Sequence, residues 1–147
     1  MSGSTITADS GPDSSLIHDY SIWSYCYARG RIPTDMMGGC PICSNQGMTD
    51  IPMLYTLLAS APAAAEPRIM LVDCGFRSGD SMTGSRFQNI EMPEAVLAKT
   101  GFRPEQVDTL ILTHLHFDHA GNFAAFPNAR LIVQRREYER WLEVIAS

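Results

Sequence analysis

The sequence predicts an α/β layered domain, and three observations support this fold class. The chain has 147 residues, which is close to the usual size of one domain. Of these residues 45% are hydrophobic and 18% are charged, a balance that is typical of globular proteins and excludes wholesale disorder. Segments with strand character come first along the chain, and strand and helix patterns then alternate. We therefore expect one domain built from strands and helices.

The first half of the chain predicts a tail, two strands and a long loop. Residues 1–15 offer almost no apolar side chains, so we expect a flexible tail before a domain that spans residues 16–147. Residues 16–32 are rich in aromatic and β-branched side chains, which predicts a strand or one arm of a hairpin. Gly, Pro, Asn and Asp collect in residues 34–50 and predict a long loop. The apolar run at residues 51–60 predicts a buried strand.

The middle of the chain predicts a strand that ends in an acidic residue, followed by a loop and a helix. Residues 68–74 form a compact apolar run that finishes at Asp73. Residues 77–90 are rich in Ser and Gly, so we expect a loop there. Pro93 suits the first position of a helix, and Gly101 suits the position just after the end of that helix.

The last third predicts two further strands and a terminal helix. Residues 107–113 are a β-type run that leads into a histidine-rich segment, and residues 130–134 are a similar run. Residues 135–145 carry apolar side chains at helical spacing: Tyr138, Trp141, Leu142 and Ile145. The chain ends two residues later without a further element to cover this face. We therefore expect an incomplete domain, with an exposed patch or a homodimer contact at the last helix.

Charge and hydropathy patterning exclude two classes of partner. The formal net charge is −5, and no basic stripe is present that would follow a phosphate backbone, so we expect no nucleic acid partner. No stretch approaches the roughly 20 apolar residues that span a bilayer, so we expect no membrane partner. The N-terminal residues lack the pattern of a secretory signal, which predicts a cytoplasmic location and reduced thiols for the four cysteines. Cys40 and Cys43 form an isolated CxxC pair, which favours a loop feature over a zinc knuckle.

A metal site is predicted by the segment that follows the strand at 107–113. Three of the four histidines, His114, His116 and His119, lie within six residues, together with Asp118. Imidazole and carboxylate are ligands that Zn²⁺ prefers. In an extended segment His114 and His116 project to the same side, so both could bind one ion. Asp118 and His119 come where the backbone turns and would then face a second, adjacent position.

Two adjacent ions would lower the pKa of a bridging water and supply hydroxide at neutral pH. The competing interpretation is that these are ordinary surface histidines, with Asp118 as the N-cap of a helix. The clustering of three histidines around one aspartate directly after a buried strand favours the metal site.

The segment from His114 to His119 resembles the HxHxDH signature of the metallo-β-lactamase superfamily. The segment from Leu71 to Gly75 resembles the upstream turn of that family, with Cys74 at a position where Thr or Ser is usual. The residues around the histidines, THLHFDHAGN and FPNARLIVQRREYERW, are most similar to the N-acyl-homoserine lactonase group. The resemblance runs from about residue 20 to the end of the chain.

The resemblance implies a metallo-β-lactamase-like αββα sandwich and a quorum-quenching hydrolase. It implies two Zn²⁺ ions per complete site, with Fe²⁺, Co²⁺ and Mn²⁺ as alternatives on the same ligands. His114 and His116 would hold the first ion, and Asp118 and His119 the second. Asp73 would fix a ligand histidine by a hydrogen bond. Zinc-bound hydroxide would open a small-molecule lactone or related ester, and Asp118 would also handle a proton.

The sequence departs from this family in its number of ligands. Members supply a further His, a bridging Asp and a last His from the second half of the domain, and here nothing follows Ser147. The remaining histidine, His18, carries no pattern that marks it as a replacement. We therefore expect only the N-terminal half of the fold. Two alternatives stay open: a catalytically inert metal-binding half-domain, and a thioesterase of the glyoxalase type on the same fold.

Overall fold

The computed structural model describes residues 19–37, 47–61, 67–79 and 86–146. The predicted tail at residues 1–15 and the CxxC pair lie outside the described residues. The strands are β1 (Tyr20–Pro33), β2 (Met48–Ser60), β3 (Ile69–Val72), β4 (Phe87–Asn89), β5 (Thr109–Leu112) and β6 (Arg130–Val133). The helices are α1 (Pro93–Ala98), α2 (Phe117–Ala120) and α3 (Arg135–Ala146), with short 3₁₀ helices at Thr34–Met37, Pro104–Gln106 and Phe123–Ala125.

The strands form one mixed sheet in the order β4-β1-β2-β3-β5-β6. The pairs β4-β1, β1-β2 and β2-β3 are antiparallel, whereas β3-β5 and β5-β6 are parallel. A mixed sheet with helices confirms the α/β fold class. Because β3 and β5 are parallel, their carboxyl ends lie at the same edge of the sheet, which is where ligands bind in open α/β sheets.

Two predicted loops contain strand residues. The prediction of a loop throughout residues 77–90 is wrong at β4, which pairs with β1 from Ala28 to Gly30. Three residues are too few to show the alternation of a strand. The strand β4 forms because it pairs with β1, which is distant in the sequence. The loop predicted at residues 34–50 is wrong at its last three residues, which extend β2 because Met48 pairs with Pro33 across the hairpin.

The core lies between the central strands of the sheet, β5 included, and α1. Its fully buried members include Tyr27, Leu57, Leu71, Leu97 and Leu110. Pro93 begins α1 as expected, and its carbonyl accepts a hydrogen bond of 3.0 Å from the buried Tyr55 hydroxyl. Gly101 follows α1 with a φ of 88°, the left-handed conformation that glycine adopts without steric cost.

The last helix, α3, is largely exposed, with only Glu137 and Trp141 partly buried. None of its twelve residues is buried, and Tyr138, Leu142 and Ile145 are largely exposed. The apolar side chains recur at the spacing expected for one helix face, so this is the exposed patch that the sequence predicts. A homodimer contact at this patch stays a prediction. No helix within the described ranges has both the length and the apolar character needed to cross a membrane.

Candidate metal centre

The predicted site residues come together at the carboxyl ends of β3 and β5. Asp73 follows β3 directly, and its N–H donates to the Ile111 carbonyl of β5 at 2.8 Å. The backbone of Asp73 has a φ of 61°, a left-handed conformation that aspartate tolerates better than most residues. This turn directs the Asp73 carboxylate toward the segment that leaves β5.

The buried Asp73 carboxylate holds both ends of the histidine segment. Its Oδ1 accepts the Thr113 N–H at 2.9 Å, and its Oδ2 lies 2.9 Å from the Thr113 hydroxyl. The same Oδ2 lies 2.7 Å from His119 Nδ1. His119 therefore presents its other ring nitrogen, Nε2, away from Asp73. The carboxylate fixes the direction of the imidazole, as an outer carboxylate does behind a metal-bound histidine.

The short helix α2 is tied to the core by two side chains. The buried Cys74 donates through its N–H and its thiol to the His119 carbonyl, at 2.8 and 3.2 Å. The buried Tyr27 hydroxyl donates to the Asp118 carbonyl at 2.9 Å. His116, not Asp118, occupies the N-cap of α2, so the alternative interpretation of Asp118 as a helix N-cap is wrong.

Three potential ligands converge within the described residues. Donor atoms of His114, Asp118 and His119 all lie within 4.8 Å of one another. His119 Nε2 lies 3.4 Å from Asp118 Oδ2. Two ligands of a tetrahedral zinc with bonds of about 2.1 Å are separated by about 3.4 Å, so this pair is already spaced for a common ion. The donor set and its spacing fit a divalent metal.

His116 stands beside this cluster but outside it. Its ring centroid lies 4.6 Å from that of His114 and 6.1 Å from that of Trp141, and both ring pairs are T-shaped. Strand alternation predicts that His114 pairs with His116, whereas the structure brings His114 together with Asp118 and His119. The direction of a side chain after a strand depends on the turn that follows, and that turn separates His116 from the cluster.

The charges of the site favour a cation. Hydrogen bonds to Asp118 and Asp73 raise the pKa of His119 to about 9. Burial acts to raise the pKa of Asp118, but the hydrogen bond and charge of His119, a backbone hydrogen bond and the charge of His114 together hold that pKa below its usual value. Burial and the neighbouring His119 and His116 lower the pKa of His114, so its ring favours the neutral form that binds a metal. The two ionised carboxylates thus stabilise positive charge at His119, and a divalent ion bound there would supply that charge in place of the proton on the ring.

Three residues support this segment without having been singled out from the sequence. Thr113 and Tyr27 bond the segment as described above, and Glu137 of α3 accepts the Leu115 N–H at 3.0 Å. Thr113 adjoins the motif, which is a signal that could have found it. The sequence separation of 91 residues between Tyr27 and Asp118 leaves no comparable signal. Glu137 carries only the general preference of acidic residues for the first turn of a helix.

Relatives with similar sequences are named as a lactonase and as a probable metallo-hydrolase. An N-acyl homoserine lactonase of Bacillus cereus is 50% identical over 44 residues, which cover 30% of this chain and 18% of the relative. A probable metallo-hydrolase of Mycobacterium tuberculosis is 30% identical over 132 residues, which cover 74% of this chain and 42% of the relative. The chain thus spans less than half the length of these curated relatives.

The fold and a family model agree with these relatives. The solved structure of an N-acyl homoserine lactone hydrolase, with the product N-hexanoyl-L-homoserine at its catalytic metal centre, matches with a TM-score of 0.66 and 23% identity. The match covers 86% of this chain and 53% of that protein, and at this identity it establishes the fold alone. The model of the Metallo-beta-lactamase superfamily matches residues 67–145, which is more than half of the chain. The chain belongs to the metallo-β-lactamase superfamily, and this membership implies the binding of a divalent metal.

Proposed function

We propose that this chain is the metal-binding part of a hydrolase that opens a lactone or a related ester. The observation that carries the proposal is the convergence of His114, Asp118 and His119 on one point, with Asp73 behind His119. Three protein ligands with an open position are the usual arrangement of a catalytic zinc. A structural zinc site would instead be closed by four protein ligands.

The donor distances favour one ion held by His114, Asp118 and His119. Zn²⁺ suits these ligands best, and Fe²⁺, Co²⁺ or Mn²⁺ can use the same set. The division in which His114 and His116 hold a first ion, and Asp118 and His119 a second, stays a prediction for a site with further ligands. When bound, the ion lowers the pKa of water and polarises a carbonyl, which is the chemistry that ester hydrolysis needs.

The protein's own residues orient and move protons in this proposal. Asp73 accepts a hydrogen bond from His119 Nδ1 and so turns Nε2 toward the cluster. Thr113 braces the same carboxylate, which limits its rotation. Asp118 has two oxygens, of which Oδ2 faces His119 Nε2. We assign to Asp118, besides its ligand role, the transfer of a proton during ring opening.

The substrate class rests on the relatives. The Bacillus cereus protein is an N-acyl homoserine lactonase, and the structural neighbour was solved with the product of such a lactone. An N-acyl homoserine lactone would be a small-molecule substrate and would make the reaction quorum quenching. Family membership alone fits a thioester equally well, so a thioester belongs in the same assay.

The decisive experiment measures metal content and turnover on the same preparations. The chain is equilibrated with Zn²⁺, freed of loose ions and analysed for zinc beside His119→Ala and His18→Ala. We expect near one zinc per chain, lost in His119→Ala and kept in His18→Ala, which removes a histidine outside the motif. Equal zinc in both variants would contradict the site.

Turnover then separates the hydrolase from its alternatives. The zinc-loaded chain is assayed with an N-acyl homoserine lactone, a linear ester and a thioester, before and after chelation. Opening of the lactone that stops on chelation and returns with Zn²⁺ is the expected result. Bound zinc without turnover of any substrate would favour the inert metal-binding half-domain, and turnover of the thioester alone would favour the glyoxalase-type enzyme.

A further inference from the structure

The strongest feature that the proposed site leaves unused is the carboxylate of Glu137. This side chain projects from α3 toward the segment between the first two histidines of the motif. Its Oε1 accepts the Leu115 N–H at 3.0 Å and the Trp141 indole N–H at 2.9 Å. One oxygen therefore joins the backbone between His114 and His116 to an aromatic ring one helical turn further along α3.

The contact with Leu115 restrains both neighbouring histidines. An N–H that is held by an acceptor fixes the peptide plane between His114 and Leu115, and with it the direction in which each side chain leaves the backbone. Trp141 adds a second restraint, because its ring meets His116 edge-on at 6.1 Å. Glu137 thus controls His114 through the backbone and His116 through the indole.

The surroundings of α3 make this contact stand out. None of the twelve described residues of α3 is buried, so burial of apolar area contributes little to holding the helix beside the histidines. Glu137, His116 and Trp141 line one cleft of about 380 Å³ next to the cluster. The bond to Leu115 is a direct polar link between α3 and the ligand-bearing segment.

The ordinary role of an acidic residue in the first turn of a helix is different. Such a carboxylate interacts with the helix dipole or reaches back to the N-cap N–H, and its charge is what matters. Glu137 instead directs Oε1 to a backbone N–H 22 residues away in sequence. An acceptor oxygen, with or without charge, satisfies that geometry.

We propose that Glu137 is a positioning residue, which holds the His114–Leu115–His116 backbone and the Trp141 ring in the conformation that presents His114 to a metal. The inference deepens the proposed function and depends on it for the metal, whereas the contact itself exists in the metal-free chain. Loss of the carboxylate frees the Leu115 N–H and the indole together. Loss of the charge alone leaves both bonds in place.

The first readout is made without metal. Amide exchange at Leu115 and the indole resonance of Trp141 are compared in the chain, Glu137→Ala, Glu137→Gln and Glu139→Ala. The indole of Trp23 is distinguished by a Trp23→Phe chain. We expect faster exchange and a shifted indole signal in Glu137→Ala only, because the glutamine oxygen still accepts both bonds. Unchanged amide protection at Leu110 shows in each variant that the core is folded.

The second readout is Zn²⁺ affinity by titration of the same four proteins. We expect Glu137→Ala to bind about tenfold to a hundredfold more weakly, the range seen when a support behind a ligand is removed. Glu137→Gln and Glu139→Ala should keep the affinity of the parent chain. Equal weakening in Glu137→Gln would mean that charge acts and would overturn the positioning role.

The two proposals fail differently in these measurements. A parent chain that binds no zinc overturns the proposed function, while the exchange data still decide whether Glu137 holds the segment. Equal exchange at Leu115 in the parent chain and in Glu137→Ala overturns the inference, whatever the zinc affinity. Equal zinc affinity of the parent chain and of Glu137→Ala also overturns the inference.

Discussion

The two sides of the metal centre differ in how they are supported. On the side of β1, β2 and α1, aromatic and aliphatic side chains are fully buried, and the Tyr27 hydroxyl reaches from this core to the Asp118 carbonyl. On the side of β6 and α3, Leu131 is 47% exposed and Ile145 is 78% exposed. There, Glu137 reaches the segment from a helix without buried residues.

This difference teaches how the ligand segment is held. Both sides contribute hydrogen bonds to it, but only one side has a packed core behind those bonds. A side chain restrains the backbone group to which it is hydrogen-bonded only as firmly as that side chain is itself held in place. We therefore infer that Asp118 and His119, tied to Tyr27 and Cys74, form the rigid part of the centre. His114 and His116, tied to α3, form the adjustable part.

The uncovered side also carries a wide apolar cleft of about 460 Å³. Its lining includes Leu131, Tyr138 and Trp141, with Phe117 from α2. The lining also includes Leu115, which lies between His114 and His116, so whatever covers the cleft will also stiffen the adjustable part of the centre.

The largest effect should come from truncating one leucine on each side of the contrast. Leu110 of β5 and Leu131 of β6 are partners in the same ladder, and Leu110 is fully buried whereas Leu131 is not. We expect Leu110→Ala to lower the free energy of unfolding by about 2–5 kcal/mol, because it leaves a cavity. Leu131→Ala should cost about 1 kcal/mol or less. Urea unfolding followed by circular dichroism measures both.

Similar costs for these two variants would break the contrast, because β6 would then be packed by something that covers it in solution. A concentration-dependent cost for Leu131→Ala would identify a second copy of the chain as that cover. Equal oligomeric state of both variants serves as the control.

Much of the fold follows from local patterns in the sequence. The strands at residues 51–60, 68–74, 107–113 and 130–134 and the helix at 135–145 all have counterparts in the structure, since each strand is a compact apolar run and the helix carries apolar side chains at helical spacing. The strand β4 does not have such a period and exists only because β1 offers an edge for pairing. Elements that depend on a distant partner are the ones that periodicity misses.

The candidate site follows from the sequence to a similar extent. Metal-ligating residue types in one short segment identify His114, Asp118 and His119, and the structure brings their donor atoms together. The grouping of the ligands stays a prediction, because strand alternation pairs His114 with His116, whereas the turn into α2 brings donor atoms of His114, Asp118 and His119 within 4.8 Å of one another. The supporting bond from Tyr27 crosses 91 residues of sequence, and its existence depends on the assembled sheet.

A smaller effect is expected from deleting the single hydrogen bond that joins the packed core to α2. Tyr27→Phe keeps the ring and removes the hydroxyl, which leaves the Asp118 carbonyl without that donor. We expect a loss of about 1–2 kcal/mol in the free energy of unfolding and faster amide exchange in α2. The matched variant Tyr138→Phe, on the half-exposed ring of α3, should change neither quantity measurably.

Unchanged exchange in α2 of Tyr27→Phe would contradict the assignment of Asp118 and His119 to the rigid part. In that case the bonds from Cys74 to the His119 carbonyl would be sufficient by themselves to hold α2. A Cys74→Ala variant, which keeps the backbone bond and removes the thiol, would then separate the two contributions.

The smallest effect tests whether polar contacts also stabilise the packed side, at the opposite end of β3 and β5. Asp108 accepts the Ile69 N–H at 2.6 Å and pairs with Arg68 at 2.8 Å. Burial acts to raise the pKa of Asp108, but the hydrogen bonds with Arg68, Thr109 and Ile69 outweigh it and lower that pKa. A carboxylate with a lowered pKa in the folded state stabilises the protein above its ordinary pKa, and this stability is lost as the pH falls through the folded value.

Asp108→Asn should therefore be less stable than the parent chain by about 1 kcal/mol or less near pH 7, since the side chains of Arg68 and Asp108 are 39% and 33% exposed and solvent screens the pair. The difference should hold down to about pH 5 and shrink below the ordinary aspartate pKa of 3.8, because both states then bind the proton. Urea unfolding at about pH 7, 5 and 3 measures it.

Asp50→Asn is the control. The side chains of Asp50 and Arg31 are 68% and 66% exposed and lie 3.7 Å apart, so this pair should contribute nothing measurable. A difference in the free energy of unfolding that persists unchanged at about pH 3 would show that packing around the Asp108 side chain, and not its charge, joins β3 to β5. The contrast between the two sides would then rest on apolar burial alone.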